Sequence, residues 1–585
     1  MKPISILIFI LINLPIQAQL NFSQPDFFRN KRELPLINMN IDLNVRITDF
    51  GAIPNDGKDD GIAFQRALEY CKKSTSAGKK VQLSLKKGTY DLFKGANGNH
   101  LIELKKAKNI IISGNASEII IHNPQKGFLS IFGCENIIVK DLYIDYDPLP
   151  FTQGKIVAID NKNKTFDFKI DKGFPNVNEQ MFENSPEVWG MLMDPKTPGK
   201  LKDGAPSLYP SKDWVKVTKG IFRASLKSPK HLNSMSVGDL YVHIARYNGK
   251  TIFKSSISKN ITFLKVTSYT SPAGSYAAFN MKEWNIIGCE IRIKEGRIHS
   301  ANADCVHVSG STFGPWIEHC LFEGYSDDAI NLKHTKRSIL KQVSATELIL
   351  KYNVVKGDII KIYNPREGIL IGTSKVLKSK NLGNAQTQVT LETPINEKLK
   401  IGETKRHDIA YLDTQSCESF VIRNNTFRNA RRYGMLLQSS YGIVEKNVFE
   451  NLSQCAISMN NGVDWGEGFA SHHITINQNI FNNCGYDATY FKDYNAAAIR
   501  LRVTKLKNPE AKGKWCGVAT TDWQGLKNIK ITKNTFSYNK RALSIECSQN
   551  VIIKDNMFIH NSKDKSETQE VILNRNNSNL IFQNQ

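Results

Sequence analysis

The second half of this chain repeats itself. Asn-x-Phe recurs at Asn425–Phe427, Asn447–Phe449, Asn479–Phe481, Asn534–Phe536 and Asn556–Phe558. A short alternating strand precedes most of these, as in Phe420-Val421-Ile422 or Ile474-Thr475-Ile476. A second strand follows, as in Met435-Leu436-Leu437-Gln438 or Ile457-Ser458-Met459-Asn460. Short β-rich runs separated by Asn and Gly, in steps near two dozen residues, are the signature of stacked coils that bury their apolar sides together. Asn suits the turns because it tolerates left-handed backbone and bonds its own chain. The expected fold class is all-β, a right-handed parallel β-helix.

Earlier coils fit the same frame. Ala278-Phe279-Asn280-Met281-Lys282 matches Ala329-Ile330-Asn331-Leu332-Lys333. Strand alternation then points Phe279, Val306, Ile330, Met435, Ile457, Ile499 and Leu543 inward. Asn280, His307, Asn331, Ser458 and Arg500 fall in one outward column, and Lys282, Ser309, Lys333, Gln438, Asn460 and Arg502 in the next. Coils about 4.8 Å apart would make these columns a polar, partly basic floor.

The mature chain opens differently. An acidic run, Asn55-Asp56-Gly57-Lys58-Asp59-Asp60, leads into the amphipathic Ala63-Phe64-Gln65-Arg66-Ala67-Leu68. This reads as an N-terminal helical cap on the solenoid. The acidic run lacks the spacing and terminal glutamate of an EF-hand. Two segments, 151–250 and 337–413, break the repeat. They share a phrase, Val237-Gly238-Asp239-Leu240-Tyr241-Val242 against Lys356-Gly357-Asp358-Ile359-Ile360-Lys361. They read as two related, inserted, small β-barrel-like modules. The expected divisions are 1–18, a signal peptide; 45–150, cap and first coils; 151–250, first insertion; 251–336, coils with the candidate site; 337–413, second insertion; and 414–585, C-terminal coils.

The signal reading rests on Lys2, the apolar Ile4–Leu14 stretch and Ala18. That stretch is too short to span a membrane, and no later apolar run matches it. The expectation is an exported protein with no membrane span, periplasmic or extracellular in a Gram-negative bacterium. Net charge is +23, but the lysines are scattered. A nucleic-acid partner would gather them on one face among aromatics, so none is expected. Ten cysteines stand singly with no Cys-x-x-Cys or zinc spacing, so no metal site is expected from them. Disulfide pairing is not legible.

The chemistry centres on three aspartates. Asp304 lies in Asn302-Ala303-Asp304-Cys305-Val306-His307, and Asp327-Asp328 in Ser326-Asp327-Asp328-Ala329-Ile330-Asn331. Asp304 and Asp328 are one coil step apart and take equivalent places, so the repeat should stack them. A lone Asp-Asp is more often a turn. Stacked like charges, however, destabilise a fold unless something uses them, and crowding pushes their pKa values apart into acid and base.

Asn-x-Asp followed by Asp-Asp-Ala-Ile resembles the catalytic layout of β-helix glycosidases. Family 28 polygalacturonases share these two elements, but their Arg-Ile-Lys element has no counterpart in order, because Arg292-Ile293-Lys294 precedes the aspartates. A closer resemblance is to glycoside hydrolase family 110, exo-acting α-1,3-galactosidases of gut and marine bacteria. It covers the cap segment 49–68, both insertions and the aspartate spacing. The resemblance implies removal of terminal α-1,3-linked galactose from blood-group-B and related glycans, with inversion and without metal or cofactor. It assigns proton donation to Asp327, and positioning and deprotonation of water to Asp304 and Asp328; nothing in the sequence prevents exchanging these roles. One coil step is about 4.8 Å, whereas inverting enzymes hold their carboxyls about 6.5–9.5 Å apart. Inversion therefore rests on the resemblance alone.

An exo-acting site needs a closed end. The loop Gly462-Val463-Asp464-Trp465-Gly466-Glu467-Gly468 is the chosen candidate, with Trp465 to stack on the sugar and Glu467 to accept from its hydroxyls. Lys514-Trp515-Cys516-Gly517 is a weaker one. Lys333, His307 and Gln438 are candidate hydroxyl partners on the floor. The expected partner is a glycan with terminal α-galactose, and the insertions leave room for a homodimer. Competing readings are a glycosidase or lyase on acidic polysaccharide, which would use the positive charge, and a non-catalytic glycan-binding solenoid.

Overall fold

The computed structural model describes residues 22–226, 228–513, 515–559 and 572–583. The expected signal peptide, 1–18, lies outside them. The chain is a parallel β-helix. Eleven parallel strands stack on one side, among them Tyr276–Phe279, Val306–Ser309, Ile330–Lys333, Met435–Gln438, Ile457–Asn460 and Ile499–Arg502. The other strands of each coil, such as Pro315–Glu318 and Leu321–Glu323, form a 21-stranded sheet that closes the solenoid.

The Asn-x-Phe repeat has two separate causes. Phe322, Phe427, Phe449, Phe481, Phe536 and Phe558 stack face to face inside, with successive centroids 4.8–5.1 Å apart. That spacing is the coil rise itself. The asparagines form a buried ladder: Asn425 donates to Asn447 Oδ1 at 2.9 Å, Asn447 to Asn479 at 3.0 Å, Asn479 to Asn534 at 3.0 Å and Asn534 to Asn556 at 3.0 Å. The left-handed backbone belongs instead to the residue before each: Asn424, Lys446, Gln478, Lys533 and Asp555. The ladder asparagines are kept for their amides, which satisfy buried strand carbonyls such as Ile317 O and Ile422 O.

One register differs from the sequence reading. Tyr276, not Phe279, pairs with Val306, which in turn pairs with Ile330. Asn280 therefore leaves the outward column and takes a turn with φ 53°, and Lys282 begins a strand of the other sheet against Lys259. A three-residue offset exchanges inward and outward faces. Tyr276 is fully buried and packs against Phe253 and Phe263. Ala277 occupies the place given to Asn280.

The cap helix, Gly61–Ser76, buries Ala63, Phe64, Ala67, Leu68 and Cys71 over the first coil, with Phe64 edge-on to Phe128. Asp60 accepts from the backbone of Ile53 and Asp91 rather than capping the helix. Burial pushes its carboxyl up to about 6 despite those two hydrogen bonds. The segment near Phe22–Phe28 packs on the outside of the large sheet, around Trp316, Ile287 and Val421. All ten cysteines are free and buried.

The first insertion contains a six-stranded antiparallel sheet in the order Glu187–Met193, Leu240–Arg246, Phe151–Asp160, Thr165–Ile170, Ile221–Ser225, Lys212–Thr218. The second is a closed six-stranded barrel between Thr335 and Leu412. Their shared phrase has one geometry. Gly238 and Gly357 have φ 96° and 94°, and each following aspartate accepts from the backbone three residues upstream, at 2.7 and 2.8 Å.

Candidate active site

The three aspartates converge. Asp304 and Asp328 lie just ahead of the paired strands Val306–Ser309 and Ile330–Lys333, and the Asp328 N–H donates to Asp304 Oδ1 at 3.2 Å. Asp327 follows a coil turn that the next coil fixes through Ala329 N to Tyr433 O. One carboxylate oxygen from each of the three lies within 4.8 Å of the others. Asn331 Nδ2 is 3.3 Å from Asp328 Oδ2 and 3.4 Å from Asp304 Oδ2, and His307 Nδ1 is 2.8 Å from Asp304 Oδ2.

Two arginines complete the cluster, and the sequence reading missed both. Arg246 Nη1 donates to Asp327 Oδ2 at 2.6 Å. Arg432 Nη1 donates to Asp327 Oδ1, and its Nε stands 3.4 Å from Asp328 Oδ1. Arg432 was within reach of the repeat, since coil pairing sets it beside Asp327 just as Tyr433 is set beside Asp328. Arg246 left no such signal because it arrives from the first insertion. A neighbour, Arg431, packs over the Trp189 ring at 4.5 Å and donates to Ser207 O at 2.9 Å, binding the same insertion to this coil.

These charges separate the adjacent aspartates. Burial alone would raise Asp327, but Arg432, Arg246 and Arg431 outweigh it and hold the carboxylate well below its usual range. Asp328 goes the other way: burial comes first, Arg432 opposes it, and the charges of Asp304 and Asp327 reinforce it, so its carboxyl sits well above the usual range. The adjacent carboxyls are therefore pushed in opposite directions, Asp327 toward the ionised form and Asp328 toward the protonated one, a separation that suits acid/base catalysis. Three carboxylates at this spacing also suit a hard cation. Here Arg246 and Arg432 each take one oxygen of Asp327, so the chain itself supplies positive charge.

Asn302 shows what the first position of Asn-x-Asp does. Its amide donates to Pro150 O at 2.8 Å and Ala245 O at 2.9 Å. Those carbonyls mark the chain's entry into the first insertion and its exit, one residue before Arg246. The motif thus fastens the insertion to the turn that carries Asp304.

The remaining candidates lie farther across the floor. Lys333 Nζ pairs with Glu467 Oε1 at 2.7 Å, and Gln438 donates to Asn460 Oδ1 at 2.7 Å. The loop carrying Glu467 passes so close over Gln438 that a Cβ at Gly468 (φ 82°) would meet its amide carbon at 2.7 Å. Trp465 is half exposed and meets Trp515; it is not packed under its own loop. The strand Ile330–Lys333, roughly 10 Å long, lies between the aspartates and Lys333 Nζ. This loop therefore bounds the far side of the floor, and the first insertion walls the aspartates. Lys294 of the misplaced Arg-Ile-Lys run is committed to Asp145 and Glu118 at 2.8 and 2.9 Å.

Several known proteins are similar to this chain. A family model described as "Right handed beta helix region" matches residues 409–585. Alpha-1,3-galactosidase A of Shewanella woodyi is 25% identical over 92% of this chain and 90% of its own length. Alpha-1,3-galactosidase B of Akkermansia muciniphila is 24% identical over 75% of this chain; the match spans only 58% of that longer protein. A solved exopolygalacturonase from Thermotoga maritima aligns with 90% of this chain and 88% of its own at 13% identity and a TM-score of 0.39. Over most of its length, the chain is a β-helix protein similar in sequence to alpha-1,3-galactosidases.

Proposed function

We propose that the chain is a glycoside hydrolase that removes terminal α-1,3-linked galactose from glycans of the blood-group-B or linear Galα1-3Gal type. The observation that carries this reading is the convergence of Asp304, Asp327 and Asp328 within 4.8 Å, with Arg246 and Arg432 bound to Asp327 and the Asp328 carboxyl pushed up by burial and its neighbours. The Asp327–Asp328 pair donates its proton to the glycosidic oxygen as the bond to the anomeric carbon breaks. A water oriented by Asp304 attacks that carbon and gives its proton to the Asp304 carboxylate, itself fixed by His307 and the Asp328 N–H. Arg246 and Arg432 hold the local charge balance while the proton moves. The sequence similarity to alpha-1,3-galactosidases supports the choice of sugar and linkage, and the amino-terminal apolar stretch supports an exported enzyme.

The test is release of sugar from Galα1-3Gal and, in parallel, from polygalacturonate. Free galactose is expected from the first alone; uronate oligomers would overturn the assignment. Early proton NMR spectra of the product should show β-galactose, the mark of inversion. On an aryl α-galactoside with a good leaving group, whichever of Asp327→Asn and Asp328→Asn keeps turnover identifies the proton donor. That bond breaks with little help from an acid.

A further inference from the structure

Hydrolysis at the aspartates leaves one surface feature unused. Trp465 and Trp515 meet edge to face, with centroids 4.7 Å apart and planes at 86°. They are 51% and 55% exposed, whereas tryptophan is usually highly buried. Their exposure does not come from a slack loop. Lys333 pairs with Glu467, Lys336 donates to Gly466 O, Lys405 donates to Asp464 O, and the Tyr411 hydroxyl donates to Glu467 O at 3.0 Å. Lys405 Nζ also lies 5.5 Å from the centre of the Trp515 ring. Two rings held this way lose little conformational freedom when something binds them.

The pair's place in the fold indicates what binds. On the aspartate side the floor is walled by the first insertion, through Arg246 to Asp327, Arg431 over Trp189, and the Tyr486 hydroxyl to Leu201 O. A chain whose terminal sugar sits at the aspartates therefore extends across His307, Asn331 and Lys333 toward the loop. The strand Ile330–Lys333 alone spans roughly 10 Å, longer than one sugar ring. Perpendicular tryptophans form an apolar corner, in which one ring covers the C–H face of a sugar and the other bounds its edge. Resting on the hydrolase reading, we propose that Trp465 and Trp515 form a distal subsite that stacks a sugar beyond the one adjoining the cleaved bond. The preferred substrate is then an oligosaccharide of three or more sugars.

Steady-state kinetics on an aryl α-galactoside, Galα1-3Gal, and tri- and tetrasaccharides ending in that unit test this. In the wild type, KM should fall about tenfold from the disaccharide to the longer glycans, the worth of one good aromatic contact. In Trp465→Ala and Trp515→Ala that fall should vanish. A wild type with no length dependence, or variants that keep it, overturns the distal subsite alone. A wild type that turns over no α-galactoside overturns the hydrolase reading and this proposal together.

Discussion

Arg246 and Asp327 are 81 residues apart in sequence and joined by a 2.6 Å hydrogen bond from Nη1 to Oδ2. One belongs to an insertion and the other to a coil of the solenoid, so the ionisation of the Asp327 carboxylate depends on how a separate module docks.

Arg246→Ala should therefore move the pH profile as well as the rate. A cation close to a carboxylate lowers its pKa by about 1–3 units, so losing Arg246 lets Asp327 titrate at higher pH. The acid limb of kcat/KM should shift upward by about one unit, and Arg246→Lys should restore part of it. A fall in rate with an unmoved limb would reduce Arg246 to a packing role.

The adjacent aspartates should answer oppositely to neutralisation. Asp327 has a depressed folded pKa, so its stabilisation is present above the unfolded value of about 3.9 and is lost as pH falls through the folded one. Asp327→Asn leaves two largely buried guanidinium groups short of a partner and should cost about 3–5 kcal/mol at pH 7, narrowing in acid. Asp328 has a raised folded pKa, so it destabilises increasingly as pH climbs above about 3.9. Asp328→Asn should hold or raise Tm at pH 7 and converge on the wild type below that range. Thermal melts of both variants from pH 3 to 8 check the pair.

Asn302→Ala removes two donors from the buried carbonyls of Pro150 and Ala245. Pro150 O keeps its bond from the Ala245 N–H at 3.0 Å, so the loss should cost about 1–3 kcal/mol in urea unfolding. Activity should fall further than stability explains, because Arg246 follows Ala245 directly.

The phenylalanine stack should weaken most at its middle. Phe449 is fully buried between Phe427 and Phe481, so Phe449→Ala should cost about 3–5 kcal/mol. Phe558, at the end of the stack and only partly buried, should cost less. Equal losses in urea titrations would mean the stack does not act as a continuous core.

Much of the fold was legible because a solenoid translates sequence period directly into spatial neighbours. Asn425 meets Asn447, and Asp304 meets Asp328, because each coil lies on the one before. Where the period was read from one short phrase, it slipped: Asn280 and Lys282 were placed on the floor, and Tyr276 took the register instead. The ladder asparagines were read as left-handed turn residues, when the residue before each adopts that backbone. Nothing in a strand's alternation distinguishes an amide kept for its conformation from one kept for its hydrogen bonds.

By itself, the sequence determined the stacked coils, the cap, the two interruptions and the convergence of three aspartates, all of which follow from local period and nearest-neighbour stacking. Only the tertiary structure decided which charges face them. Arg246 reaches Asp327 through the docking of an insertion held by Asn302, and rigid-body packing leaves no periodic mark in a chain. That docking helps pull the Asp327 carboxyl below its usual range while burial pushes its neighbour Asp328 above it.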